Sequence, residues 1–319
     1  VSVRVDSSRH EVVITAGPFR IPTMPADMRH MMSATSPVFQ FSWPVDGVMR
    51  GFRADLVDGS GAFLSRAMIH HVAVVNFDRR QLVYPAVERL MAASKETGEV
   101  LLPGIVGVPL ERGAHLGIYQ GLHNSSGRDM SGVYVRVTLF WAPTTRWWGS
   151  PIQVLPFYAD VNDVIGGLDT YDIPPGRSSR SYEFEVPTTG RLLVAGGHMH
   201  DYGAGVRLED VETGAVLVRL EAARDPHGKV LEVQRKFLVW PWNKVTLQSH
   251  HRYRIVGVYD NPTRAVIPEG GMAQIMGIFA PEDLRAWPKL DASNPETMKD
   301  LATLPPVAVP TSGTSGSDR

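Results

Sequence analysis

Short segments rich in Val, Ile, Tyr and Phe alternate with turn residues along most of the chain, with 30 Gly and 24 Pro as punctuation. Glu11 to Thr15, Val48 to Leu56 before the Asp58-Gly59 turn, Val133 to Trp141, Ser181 to Val186, Ala215 to Leu220 and Arg254 to Tyr259 all read as strands. Strands at this spacing with few helices between them predict β-sandwiches. One helix is expected from Pro85 to Lys95, with Pro at its start and Val87, Leu90 and Met91 at helical spacing, and a short one from Pro281 to Trp287.

The strand pattern breaks between Val161 and Pro175, where Asn162, Gly166-Gly167 and Pro174-Pro175-Gly176 cluster. At 319 residues the chain is long enough for two domains, each burying its own core. The expected division is an N-terminal sandwich over 1–162, a C-terminal sandwich over 163–288 and a flexible tail over 289–319. The tail shows no strand or helix period and ends in a run of Ser, Thr and Gly.

Charge and cysteine content narrow the chemistry. Lys plus Arg number 32 against 33 Asp plus Glu, a formal charge of -1. That argues against nucleic acid or an anionic membrane as the main partner. With no Cys, disulfides, thiolate zinc sites and thiol nucleophiles are excluded. Any metal ligand must be His, Met or carboxylate. No apolar run is long enough to span a bilayer, and a start at Val1 rather than Met suggests an exported, secreted or periplasmic protein.

The histidines then stand out. The apolar run Arg191 to Ala195 reads as a strand leading into Gly196-Gly197-His198-Met199-His200, so His198 and His200 share a face and can share one ion. The pair His70-His71 ends the run Ala67-Met68-Ile69 and enters Val72 to Val75. Neighbours on a regular strand point to opposite faces, so both can bind one ion only where the strand bulges or twists. Two imidazoles joined by a thioether, with Met272 as the thioether, suit copper: soft sulfur favours Cu(I) while nitrogen holds both oxidation states.

The order His-His, then Ser131-Gly132-Val133-Tyr134, then His-x-His, then His251 to Asn261, then Gly271-Met272-Ala273-Gln274-Ile275-Met276, resembles the copper type II, ascorbate-dependent monooxygenases. The resemblance covers roughly residues 40 to 280. It implies an all-β protein of two jelly-roll-like antiparallel β-sandwich domains facing each other across a cleft, each with one copper. His198, His200 and Met272 would hold the copper that activates dioxygen, His70 and His71 would belong to the electron-storing copper, and ascorbate would reduce both. The substrate would be a small or peptidic molecule hydroxylated at a C–H bond.

This chain departs from that pattern at several points. The family's third histidine on the electron-storing copper falls in Leu116 to Asn124, where His123 either replaces it from the face of Tyr119 and Gly121 or is a surface loop histidine. Gly196, Gln274 and Met276 replace residues that amidating enzymes use to recognise substrate, which argues against a peptide-glycine carboxylate. Each motif also has a plainer reading, as polar strand residues for His-x-His and a core side chain for Met272. His250-His251 reads as structural or solvent-facing, Asp78-Arg79-Arg80 as a solvated charge cluster ahead of an ion-pair network or a support for the first motif, and the Met-rich stretch from Met24 to Met32 either as irregular packing or as a Cu(I) loading patch. Two classes therefore stand: a copper monooxygenase, or a non-catalytic copper-binding or cell-surface β-sandwich that keeps the scaffold.

Overall fold

The computed structural model describes residues 1–23, 34–95, 97–124, 126–144, 151–162, 164–165 and 170–307. The Met24 to Met32 stretch, and with it His30, lies outside the described residues. The first half holds β1 (Ser2–Asp6), β2 (Glu11–Ile21), β3 (Ala34–Thr35), β4 (Phe39–Ser42), β5 (Gly47–Val57), β6 (Ile69–Arg80), β7 (Val87–Ala93), β8 (Val100–Leu101), β9 (Val106–Leu110), β10 (His115–Leu122), β11 (Met130–Ala142) and β12 (Ile152–Gln153). One sheet runs β1-β2-β11-β5-β9-β12, the other β3-β10-β6-β7 with β4 also on β10.

Taking β2, β4, β5, β6, β7, β9, β10 and β11 in chain order, the first sheet pairs the first, eighth, third and sixth, and the second pairs the second, seventh, fourth and fifth. That interleaving is a jelly roll. Its core comes from alternate residues, Val12 and Ile14 on β2 and Val135, Val137 and Leu139 on β11 meeting Val72, Val74, Leu116 and Ile118 of the facing sheet.

The second half repeats the plan. It holds β13 (Leu155–Asp160), β14 (Tyr171–Ile173), β15 (Gly176–Glu185), β16 (Gly190–Met199), β17 (Gly203–Asp210), β18 (Val216–Arg224), β19 (Val230–Val233), β20 (Arg235–Phe237), β21 (Val245–Leu247), β22 (Arg252–Asn261), β23 (Ile267–Gly271) and β24 (Ala273–Pro281). One sheet runs β13-β24-β16 with β20 and β21 both on β16, the other β15-β22-β17-β18-β19. The same first-eighth-third-sixth order results. The all-β, two-sandwich fold expected from the strand pattern is present, and strands change sheet between Gln153 and Leu155, ahead of the Pro- and Gly-rich stretch.

Three local expectations are corrected. The segment expected as a helix from Pro85 is β7, antiparallel to β6 with register shifts that let Val87, Glu88, Leu90, Met91 and Ala93 all be buried. Apolar residues at i, i+3 and i+4 suit a helix, but they equally suit a bulged strand buried on both faces. The short helix near Pro281 is a single 3-10 turn, Leu284–Ala286, started by the Asp283 side chain accepting from the Arg285 amide. The tail is not featureless, because α1 (Pro295–Thr303) follows the Asn294 cap, whose side chain accepts from the Glu296 and Thr297 amides.

Buried polar contacts fasten the two rolls. The Tyr84 hydroxyl, beyond β6, accepts from the Asp160 amide at 2.9 Å, and Asp160 ends β13 of the second roll. Trp287 donates its indole N–H to the Arg80 carbonyl at 2.8 Å. Helix α1 returns to the first roll, where Asp300 receives both guanidinium nitrogens of Arg89 at 2.7 and 2.9 Å and the Val87 amide at 3.0 Å. No helix among the described residues is long and apolar enough to cross a membrane.

Candidate functional site

The His-x-His motif sits where β16 ends. Antiparallel pairing sets His198 opposite Gln274 and Met199 opposite Ala273, and the His200 amide donates to the Met272 carbonyl at 3.3 Å. Met199, Ala273 and Ile275 are buried in the roll, so by alternation His198, Gln274 and Met276 occupy the outer face of the sheet. The imidazoles of His198 and His200 have centroids 5.7 Å apart and planes at 89°. Two rings on one ion, each with its nitrogen about 2 Å from the metal, have a comparable separation. The long-range strand pairing thus brings His198, His200 and Met272 to one corner of the second roll.

Met272 is held by its main chain. The Tyr259 hydroxyl, buried on β22, accepts from the Met272 amide at 2.8 Å and donates to the Met272 carbonyl. Burial, chiefly, pushes the Tyr259 phenol up to about 12, so it stays a donor at any ordinary pH. Tyr171 packs edge-on against Tyr259 with centroids 5.8 Å apart. Sequence reasoning missed Tyr259, because a contact across the sandwich leaves no local periodic signal.

Gln274 completes the neighbouring row, since its amide donates to Asp160 Oδ2 at 2.8 Å and to the Tyr158 hydroxyl at 3.0 Å. Asp160 is fully buried, and Tyr158 donates to the same oxygen at 3.0 Å. The row beside His198 is therefore occupied by a hydrogen-bonded network that reaches Tyr84 of the first roll.

The His-His motif meets the geometric condition set by its sequence. On β10, Gly121 stands opposite His71 and Leu122 opposite Ile69, so His70 is the extra residue of a bulge. The bulge turns both rings the same way, with Nδ1 atoms 3.1 Å apart. Burial, and secondarily the neighbouring His70, lowers His71 to about 4, which keeps it neutral and able to ligate near pH 7. Tyr119 lies edge-on to it at 5.9 Å.

The third ligand is not found. His123 lies just past β10, its amide bonded to the Met68 carbonyl and its Nε2 buried with no hydrogen-bond partner among the described residues. Among the described residues, no group of three His, Cys, Asp or Glu side chains gathers to hold a metal.

The other sequence features are structural. His250 adopts a left-handed φ of 65° in the turn before β22, and His251 Nδ1 lies 3.5 Å from Asp210. Asp78 pairs with His115 at 3.0 Å and Arg79 with the buried Glu88 at 3.4 Å.

No family model matches this chain, and no curated protein matches it. Among solved structures it is similar to the major capsid protein P2 of bacteriophage PM2 at 11% identity, covering 85% of this chain and 99% of that one with a TM-score of 0.40. It is also similar to a structure from the Sulfolobus Turreted Icosahedral Virus at 9% identity, covering 88% and 92%, TM-score 0.40. The mavirus major capsid protein follows at 7% identity, covering 89% of each chain, TM-score 0.22.

The resemblance to copper type II, ascorbate-dependent monooxygenases is therefore corrected. No family model supports it, and the described residues assemble no three-ligand group of His, Cys, Asp or Glu. The physical reason is that short motifs such as His-His and His-x-His recur on any strand. Their chain order can match a family without the family being present. The expectations of monooxygenase activity and of ascorbate as reductant rested on that resemblance and lose its support.

Proposed function

We propose that this chain is a non-catalytic β-sandwich protein, two jelly rolls fastened into one scaffold, in which a single soft transition-metal ion clips the end of the second roll. The observation that supports the reading is the register that sets Met272 beside His200 and His198, where the end of β16 meets the start of β24. With the family argument gone, only the donor set bears on the metal. Two imidazoles and one thioether favour copper, and Cu(I) in particular, over harder ions. Bound there, the ion cross-links β16 to the loop entering β24, and its binding energy adds to folding stability.

The test is a thermal-unfolding titration with Cu(I) and Zn(II), read together with metal stoichiometry. One equivalent of Cu(I) should raise Tm, and His198→Ala should lose both the bound ion and the shift. Met272→Leu keeps the side-chain bulk and should weaken Cu(I) binding at least tenfold. Absence of binding, or binding indifferent to both substitutions, would overturn the clip. Substrate-coupled oxygen consumption by the loaded protein with a reductant present, above that of free copper, would overturn the non-catalytic reading.

A further inference from the structure

The outer face of the first roll carries an arginine-lined groove that the proposed metal clip does not use. Val12, Ile14, Val137 and Ala54 point into the core, so their chain neighbours on β2, β11 and β5 point outward. Register sets Arg4 opposite Val13, Val13 opposite Thr138, and Thr138 opposite Arg53, a single row across four strands. Arg136 stands in the next row, opposite Thr15 and Asp55. Arg9, from the hairpin joining β1 and β2, and Phe63 also line the groove. These residues surround a cavity of about 380 Å³, a size in the range of small-molecule sites.

The charge in this groove is unbalanced. Arg53 is answered by Asp55 at 2.8 Å and Glu99 at 3.2 Å. Among the described residues, Arg4, Arg9 and Arg136 make no salt bridge, while Glu11 is the one carboxylate lining the cavity. The Asp6 carboxylate near Arg9 already accepts from the Ser8 and Arg9 amides and the Ser8 hydroxyl. Three guanidinium groups around one hollow repel one another, and an entering anion relieves that repulsion. The Arg136 guanidinium lies over the Phe63 ring at 5.9 Å, so it is already oriented. Phe63 is itself 66% exposed, an aromatic face open to a ligand.

We infer that this groove binds an oxyanion ester, phosphate or sulfate, carried on a flat ring, with the ester among Arg4, Arg9 and Arg136 and the ring against Phe63. Guanidinium forks match such oxyanions with paired N–H donors. The ring contact separates an ester of this kind from the bare ion. Glu11 opposes any anion and sets a limit on affinity.

The test titrates the full chain calorimetrically with phenyl phosphate, phenyl sulfate, inorganic phosphate and phenol at low salt. Phenyl phosphate should saturate at one equivalent, inorganic phosphate should bind several-fold more weakly, and phenol should not bind. The relative affinity of phenyl phosphate and phenyl sulfate tells which ester is the ligand. Arg4→Gln and Arg136→Gln should each weaken phenyl phosphate about tenfold, the factor that one charge-assisted hydrogen bond provides. Phe63→Ala should bring it down to the level of inorganic phosphate, and Glu11→Gln should tighten it. Arg235→Gln, on the other roll, is the control for general surface charge and should change nothing. The inference is overturned by the absence of saturable binding, by equal losses in Arg235→Gln, or by binding that both arginine variants retain while their unfolding midpoints match the parent.

Discussion

The Nδ1 atoms of His70 and His71 lie 3.1 Å apart because β6 carries one residue more than β10 at the Gly121–Leu122 step. Two nitrogens on one tetrahedral ion, each about 2.0 Å from it, would be about 3.3 Å apart. The pair has the bite of a chelate, but among the described residues no third His, Cys, Asp or Glu side chain joins it.

That geometry gives a pH dependence. His71 is lowered to about 4 in the fold by burial and by His70, against 6.5 unfolded. The stability it contributes is full above pH 6.5, because neither state then holds the proton, and is lost as pH falls toward 4, where only the unfolded chain takes it up. Partial exposure of His71 moderates the size of the loss through solvent screening. Urea midpoints at pH 7.5 and 5.0 should differ more in the parent than in His71→Gln. Equal differences would show that His71 titrates normally in the fold.

The second prediction concerns α1. Asp300 is 2% exposed and holds Arg89 through two hydrogen bonds as well as the Val87 amide. Asp300→Ala leaves a largely buried guanidinium unpaired, a change that costs about 3 kcal/mol. Urea unfolding should show the lower midpoint with an unchanged slope. A shift below 0.5 kcal/mol would mean that the helix only rests on β7.

These elements show where the sequence was readable. Val133 to Val137 alternates cleanly because one face meets the core and the other is partly open to solvent, and the strand expected over Val133 to Trp141 lies within β11. β7 misled because both its faces are covered, and its buried Glu88 bonds to Asn76 and Arg79 rather than marking a polar face. α1 is signalled only by Asn294-Pro295-Glu296, a cap followed by Pro at the first helical position, with no apolar period behind it to mark a helix. The histidines of the candidate site were visible as ligand types. Their company was not: the jelly-roll order joins β16 to β24 across more than seventy residues, and only that pairing puts Met272 next to His200.

The third prediction probes that pairing. A Cβ on Gly277 would run into the Val194 carbonyl across the β16–β24 ladder, beside the register shift between Leu192 and Val194. Gly277→Ala should force the strands apart at a cost of about 1–3 kcal/mol, and the displacement should reach His198 three pairs away. Thermal unfolding and Cu(I) affinity should fall together. A stable variant with full affinity would show that β16 adjusts locally.

The last prediction isolates Tyr259. Its hydroxyl accepts the Met272 amide and donates to the Met272 carbonyl from a fully buried position, fixing the backbone that carries the Met272 thioether without itself being a donor to the ion. Tyr259→Phe removes both bonds, leaves a main-chain N–H unsatisfied, and should destabilise the fold by about 1–3 kcal/mol. If the clamp positions Met272, Cu(I) affinity should fall several-fold while Zn(II), which relies on the two imidazoles, changes little. Equal losses for both ions would assign Tyr259 to the fold alone, because a general loosening of the corner does not distinguish sulfur from nitrogen donors.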